Sequence, residues 1–291
     1  MNTSSMKKSI IIGTAQLGTN YGIANTEKNI NIDEKIKFLN FAYKNKLISF
    51  DTAYAYKNSH KIIGQWIKES KSNPVLSSKI PNLNLYKHKS IDIIFNEILK
   101  ELNVRKLKNL LLHNPDDWNN NKIKRYIENL IRDNTISKFG LSLYDAKNIP
   151  EDDLIKVIQI PGNIFNQEIL ISDNLKKFME TGGSVQIRSI FIQGLLLMEP
   201  SKIPAKFNEI KKGLIHFNNI SNELKIDKTY LAIKCVKTLV PQAQIVLGFD
   251  TIKQIKNILH VDNENIIESD IKEILKIGRS YYNKLWDPRI W

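Results

Sequence analysis

Asp51 and Tyr56 share one short stretch, Phe50-Asp51-Thr52-Ala53-Tyr54-Ala55-Tyr56, and two more reactive side chains, Lys79 and His113, close later apolar runs. A phenol, with an ordinary pKa of about 10, is a poor acid at neutral pH, but a nearby ammonium favours the phenolate and eases proton donation. Lys79 could supply that field, Asp51 would hold the lysine charged and oriented, and His113 could hydrogen-bond a substrate carbonyl oxygen and align it toward Tyr56. Taken singly, each has a plainer reading. A strand-end Asp is usually a turn-former or cap, a lysine a surface residue and a histidine a satisfied polar group. Their placement at three successive strand ends is what points to proton transfer at a carbonyl.

The elements that position them follow from hydrophobic patterning. Eight short β-rich runs are expected at Ser9–Gly13, Leu47–Asp51, Pro74–Lys79, Leu107–His113, Ile136–Leu141, Leu154–Ile160, Gly183–Ile187 and Gln244–Leu247. Amphipathic segments with apolar residues at three- and four-residue spacing lie between them, at Ile32–Tyr43, Ile91–Leu102, Lys122–Asp133, Asp173–Glu180 and Ile220–Leu239. Ser59 is expected to cap the helix carrying Ile62, Ile63, Trp66 and Ile67. Strict strand–helix alternation predicts an α/β fold, a single (β/α)8 TIM barrel over residues 1–291, in which chemistry sits at the C-terminal strand ends. A doubly wound sheet is the runner-up, but no strand is followed by its G-x-G-x-x-G phosphate loop. The aromatic tail from Ile271 to Trp291 is expected to pack back onto the body.

Composition narrows the class. With 291 residues and 42% hydrophobic content the chain can bury a large core. No apolar run approaches the roughly 18 residues of a membrane span, so a soluble, unexported protein without a membrane partner is expected. The single cysteine, Cys235, leaves no internal disulfide framework and no Cys-based zinc site, which fits the cytoplasm and predicts no metal. The +13 charge is spread among Asn and Ile along the whole chain, favouring a solvated surface or attraction of phosphorylated ligands over a nucleic-acid interface.

The order Asp51, Tyr56, Lys79, His113 resembles the catalytic pattern of the aldo/keto reductase family, and the resemblance covers nearly the whole chain. It implies a (β/α)8 barrel binding NADPH, less often NADH, extended across its C-terminal mouth without a Rossmann motif. It also implies hydride transfer to a carbonyl carbon while Tyr56 protonates the oxygen, with alcohol oxidation as the reverse. Gly13-Thr14-Ala15 resembles the first-strand exit beside the nicotinamide, and Gly140-Leu141-Ser142 with Gln159 resembles the carboxamide site. Arg188-Ser189-Ile190-Phe191-Ile192-Gln193-Gly194 is similar to the segment where an aromatic stacks on the nicotinamide and following groups meet the pyrophosphate. Arg188 takes the aromatic place; its guanidinium could stack on the ring or contact an acidic substrate. Gly248–Asn257 resembles the adenosine-binding loop and helix, with Lys253 at a 2′-phosphate position and Asn257 at the adenine. Three departures stand out: no basic residue near Gly248, Asp250 in the same loop, and Leu143 where many members have Asn.

For the substrate, Tyr21, Trp66, Asn114, Trp118 and Phe165 are candidate rim residues, with loop placement favouring Tyr21 and Trp118. The opening Gly13–Asn25 and closing Leu285–Trp291 segments look similar to bacterial aldo/keto reductases associated with surface-glycan gene sets, implying a keto-sugar or nucleotide-linked sugar as the small-molecule carbonyl partner. Two other readings remain: a Schiff-base lyase or aldolase using Lys79 as nucleophile, and a non-catalytic cofactor-binding regulatory subunit.

Overall fold

The computed structural model describes residues 7–19, 22, 31–260 and 266–291. All eight expected strands form: β1 (Ile10–Gly13), β2 (Ser49–Asp51), β3 (Val75–Ile80), β4 (Leu107–Leu112), β5 (Ile136–Ser142), β6 (Ile155–Pro161), β7 (Ser184–Arg188) and β8 (Gln244–Gly248). Each strand boundary lies within two residues of the expected one. Short runs of Ile, Leu and Val bounded by polar residues suit strands covered on both faces. The strands pair in parallel and in sequence order, and β8 closes onto β1, giving a closed barrel. Among the described residues no helix is long and apolar enough to cross a membrane.

The outer ring comprises α1 (Ile32–Lys44), α2 (Ser59–Ser70), α3 (Ile91–Leu102), α4 (Asn121–Arg132), α5 (Asp173–Glu180), α6 (Asn208–Leu224), α7 (Lys228–Leu239), α8 (Ile252–His260) and α9 (Glu268–Ser280). Three local expectations are corrected. The segment Ile220–Leu239 is not one helix: α6 ends at Lys225 in the left-handed region (φ 54°), and Asp227 caps α7 by accepting from the backbone N–H groups of Thr229 and Tyr230. No α-helix follows β5. The connection to β6 is a single 3₁₀ turn, Ala146–Asn148, started by Asp145 accepting from Lys147 N; Pro150 follows two residues beyond it, and no helical apolar repeat is available.

Ser59, the third correction, is not the N-cap of α2; Asn58 occupies that position without a side-chain bond. Ser59 Oγ instead lies 2.9 Å from Thr14 Oγ1, 3.1 Å from Thr14 O and 3.1 Å from Thr52 Oγ1. This buried hydroxyl knot ties the exits of β1 and β2 to the start of α2. Gly18 tightens the same corner, since a Cβ there would stand 1.8 Å from the Tyr56 carbonyl oxygen. The C-terminal tail does pack back: Trp286 is buried and stacks on Phe165 with ring centroids 4.1 Å apart.

Candidate active site

The loops at the C-terminal strand ends are fixed by backbone bonds to the neighbouring strand. Thr52 N donates to Ser77 O, Tyr54 N to Lys79 O and His113 N to Ile80 O, at 2.9, 3.1 and 2.9 Å. Asp51, Tyr56, Lys79 and His113 are thereby brought together from three consecutive strands. Lys79 and Asp51 are buried, and Lys79 Nζ donates to Asp51 Oδ2 at 2.5 Å and to Thr52 O at 3.1 Å. The same Nζ lies 5.5 Å from the Tyr56 ring centroid, and the His113 ring stands edge-on to Tyr56 at 6.1 Å.

The electrostatics refine the expected roles. Burial, reinforced by the Asp51 carboxylate, pushes the Tyr56 phenol well above its ordinary value, so in the free site the Lys79 field does not make it more acidic. Asp51 takes up the lysine, and the phenol stays firmly protonated. Burial also pulls the Lys79 ammonium below the usual lysine range, opposed by the charge and hydrogen bond of Asp51. His113 falls to about 3, through burial first and then the Lys79 and Arg188 charges, so its imidazole is neutral at physiological pH. Tyr54, the neighbouring phenol, points elsewhere: its hydroxyl donates to Glu97 Oε2 at 2.6 Å and receives Lys89 Nζ at 3.0 Å.

The far side of the mouth is built differently. Register sets Ser142, Gln159 and Gln186 side by side on β5, β6 and β7. Gln159 Nε2 donates to Asp51 Oδ1 at 2.9 Å and to Gln186 Oε1 at 3.1 Å, linking this row to the acid side. Two buried polar atoms here, Ser142 Oγ and Gln186 Nε2, have no hydrogen-bond partner among the described residues. Such groups are costly unless something binds them. Gln186 escaped the sequence reading because Val185 and Ile187 make it look like strand interior; a lone amide in an apolar β run was the available signal.

A cavity of about 330 Å³ runs from Gln159 across the mouth; Ser142 and Gln186 are not part of its wall. Of the expected cofactor residues, Gly13, Thr14, Asp51, Gln159, Arg188, Ser189, Gln193, Gly194, Gly248 and Asn257 all line it, as does Tyr56. The loop after β7 contains a cluster of left-handed residues, Ser189 (φ 65°), Ile192 (φ 52°), Gln193 (φ 53°) and Gly194 (φ 90°). For β-branched Ile192 this is a strained conformation, of the kind retained at binding sites, and left-handed turns can present backbone N–H groups to an anion. The cavity and this left-handed loop together fit a bound dinucleotide, with the orphaned Ser142 and Gln186 atoms buried next to Gln159 in the strand register.

Five expectations differ. Ser142 is buried and is not part of the cavity wall. Lys253 is exposed on α8 and is not part of the cavity wall. Trp118 is not on the rim: it is buried against Phe139, with centroids 4.6 Å apart, and its Nε1 donates to Asp152 Oδ2 at 3.1 Å, because the 3₁₀ turn after β4 folds it under the loop. Trp66 and Phe165 are likewise core residues. Tyr21 lies outside the described residues. Arg188 does line the cavity, but its guanidinium stacks on Tyr144, a residue no motif flagged.

Comparison with known proteins agrees with this architecture. No curated protein matches the chain. Among solved structures, an aldo/keto reductase from Klebsiella pneumoniae in complex with NADP and acetate is 15% identical, with a TM-score of 0.70 over 95% of this chain and 92% of that one. A glycerol dehydrogenase from Gluconobacter oxydans is 17% identical, with a TM-score of 0.72 over 96% and 94%. The aldose reductase from Schistosoma japonicum is 16% identical, with a TM-score of 0.64 over 93% and 88%. At these identities the likeness is one of fold. The family itself is shown by sequence: the model described as "Aldo/keto reductase family" matches residues 9–279. The chain belongs to the aldo/keto reductase family.

Proposed function

We propose that the protein is an NADPH-dependent carbonyl reductase in which Tyr56 delivers the proton. The observation that carries this reading is the convergence of Asp51, Tyr56, Lys79 and His113 at a cavity whose wall runs from Asp51 and Tyr56 to Gly248 and Asn257. The Klebsiella enzymes crystallised with NADP and NADPH support the choice of cofactor.

NADPH held along the cavity would supply the hydride for the carbonyl carbon. Ser142, Gln159 and Gln186 would hold the carboxamide end, the left-handed loop from Ser189 to Gly194 the pyrophosphate, and Gly248 to Asn257 the adenosine. Neutral His113 donates an N–H to the carbonyl oxygen and aligns it; a charged imidazole would compete with Tyr56 as an acid. Tyr56 holds its proton until charge builds on that oxygen, then transfers it, and the alcohol is released. Lys79 and Asp51 set the field beside the phenolate that remains, which is reprotonated from solvent. In the oxidative direction the same phenolate accepts the alcohol proton.

Lys79 is ill-placed as a Schiff-base nucleophile, since its Nζ is buried and engaged by Asp51 and Thr52. Borohydride in the presence of a carbonyl should leave Lys79 unmodified. For the substrate we favour a keto-sugar or nucleotide-linked sugar, on the resemblance of the two chain ends to glycan-associated relatives. The test is fluorescence titration with NADPH and NADH followed by a carbonyl screen that includes keto-sugars. NADPH binding with turnover is expected, and failure of both nucleotides to bind would defeat the reading.

A further inference from the structure

The exits of β5 and β7 and the C-terminal tail meet over one ring. Tyr144 is 37% exposed, and the guanidinium carbons of Arg188 and Arg289 lie 4.4 and 3.9 Å from its ring centroid. Arg289 is placed there by an anchored tail: Trp286 stacks on Phe165, and Trp291 Nε1 donates to Leu285 O at 2.9 Å.

Several charges face the mouth: Asp250 lines the cavity, and Asp287 feels the Arg188 charge as well as that of Arg289. Arg289 is forked onto Asp287, its Nε lying 3.0 Å from Oδ1 and 2.8 Å from Oδ2. Lys79 and Asp51 form a pair with no net charge in either protonation state, and His113 is neutral. Arg188 has no carboxylate within salt-bridge range among the described residues. Its side-chain hydrogen bonds are long, 3.5 Å to Ser189 Oγ and 3.4 Å to Leu143 O, leaving most of its five N–H donors without a protein acceptor among the described residues. Arg188 lines the same cavity as Tyr56, and its charge acts on Tyr56, Lys79 and His113 together. A half-buried, stacked guanidinium with free donors is pre-organised for a planar or tetrahedral anion.

We propose that Arg188, stacked on Tyr144 with Arg289 against the same ring, recognises a carboxylate or phosphate carried by the carbonyl substrate. This rests on the reductase reading of the cavity and narrows it: acidic or phosphorylated sugars and nucleotide-linked sugars fit, neutral keto-sugars do not. The same anion chemistry could come from the cofactor pyrophosphate, so the experiment separates the two.

D-glyceraldehyde 3-phosphate and D-glyceraldehyde form a matched pair for NADPH-dependent turnover, and glycerol 3-phosphate and glycerol a matched pair for equilibrium titration of the NADP-loaded protein. Wild type should favour the phosphorylated member of each pair. In Arg188→Met that preference should fall about ten- to a hundredfold, with Arg188→Lys in between because charge survives without the fork. Equal loss on both members of a pair, or no preference in wild type, would overturn the proposal. A loss that appears instead in the affinity for NADPH would reassign Arg188 to the pyrophosphate and also overturn it. If the aldehydes are not turned over, the titration decides the question. Failure of wild type to bind NADPH at all would refute the reductase reading rather than this one.

Discussion

The exits of β2 to β4 and the exits of β5 to β7 face each other across one mouth, yet they are finished to different degrees. On the first side the buried polar groups satisfy one another: Lys79 is engaged by Asp51 and Thr52, and Thr14, Thr52 and Ser59 form a closed knot. On the second side Ser142 Oγ and Gln186 Nε2 are buried without partners among the described residues. The contrast teaches that one side is internally satisfied before any ligand arrives, whereas the other has polar atoms left over; on the proposed reading the first is the proton-transfer half and the second the binding half. Removing a group from the first side should therefore cost the folded molecule, and removing one from the second should cost the ligand.

The largest effect on the folded molecule is expected from the acid side. Lys79→Met leaves the Asp51 carboxylate buried and unpaired, which should cost about 3–5 kcal/mol in denaturant unfolding. Adding Asp51→Asn should recover much of that stability without restoring turnover; a single variant as stable as wild type would erase the claimed contrast.

His113 comes next. Its folded pKa of about 3 lies below the ordinary value of 6.5, so the unfolded chain binds the extra proton first as pH falls. Its contribution is fully present above about pH 6.5 and is lost toward pH 3, with a slope of up to about 1.4 kcal/mol per pH unit. Urea unfolding should show His113→Asn losing less stability over that range than wild type. Identical acid dependence would mean the imidazole is not buried neutral. The reductive kcat/KM should accordingly show no histidine limb between pH 5 and 8.

Ser142→Ala probes the opposite side and should separate the two costs. Removing an orphaned hydroxyl should leave stability unchanged or slightly higher, while NADPH affinity weakens about tenfold for the lost hydrogen bond. If stability drops and affinity holds, Ser142 belongs with the pre-organised half. The smallest effect is assigned to Trp118→Phe, which loses the bond to Asp152 and should cost about 1 kcal/mol of stability with no change in KM.

The same contrast explains what the sequence disclosed. The strands were legible because each is a short apolar run, and the acid side because Asp51, Lys79 and His113 end three such runs in succession. Helix boundaries at Lys225 and Asp227 were hidden by apolar spacing that continues across the break. Gln186 was masked by Val185 and Ile187. Tyr144 and Arg289 meet only through the folded tail, more than a hundred residues apart in sequence, and no local pattern reports such a meeting. Ser59 was misread because a serine before a helix signals a cap, whereas here tertiary packing against Thr14 claimed its hydroxyl.

Tyr56→Phe tests the central claim most directly, because it removes only the hydroxyl. NADPH should bind the variant with wild-type affinity by fluorescence titration, while single-turnover reduction of a carbonyl found in the screen slows about 10²- to 10⁴-fold, the usual contribution of a positioned acid. Turnover within a few-fold of wild type, with the same cofactor affinity, would show that the proton comes from elsewhere.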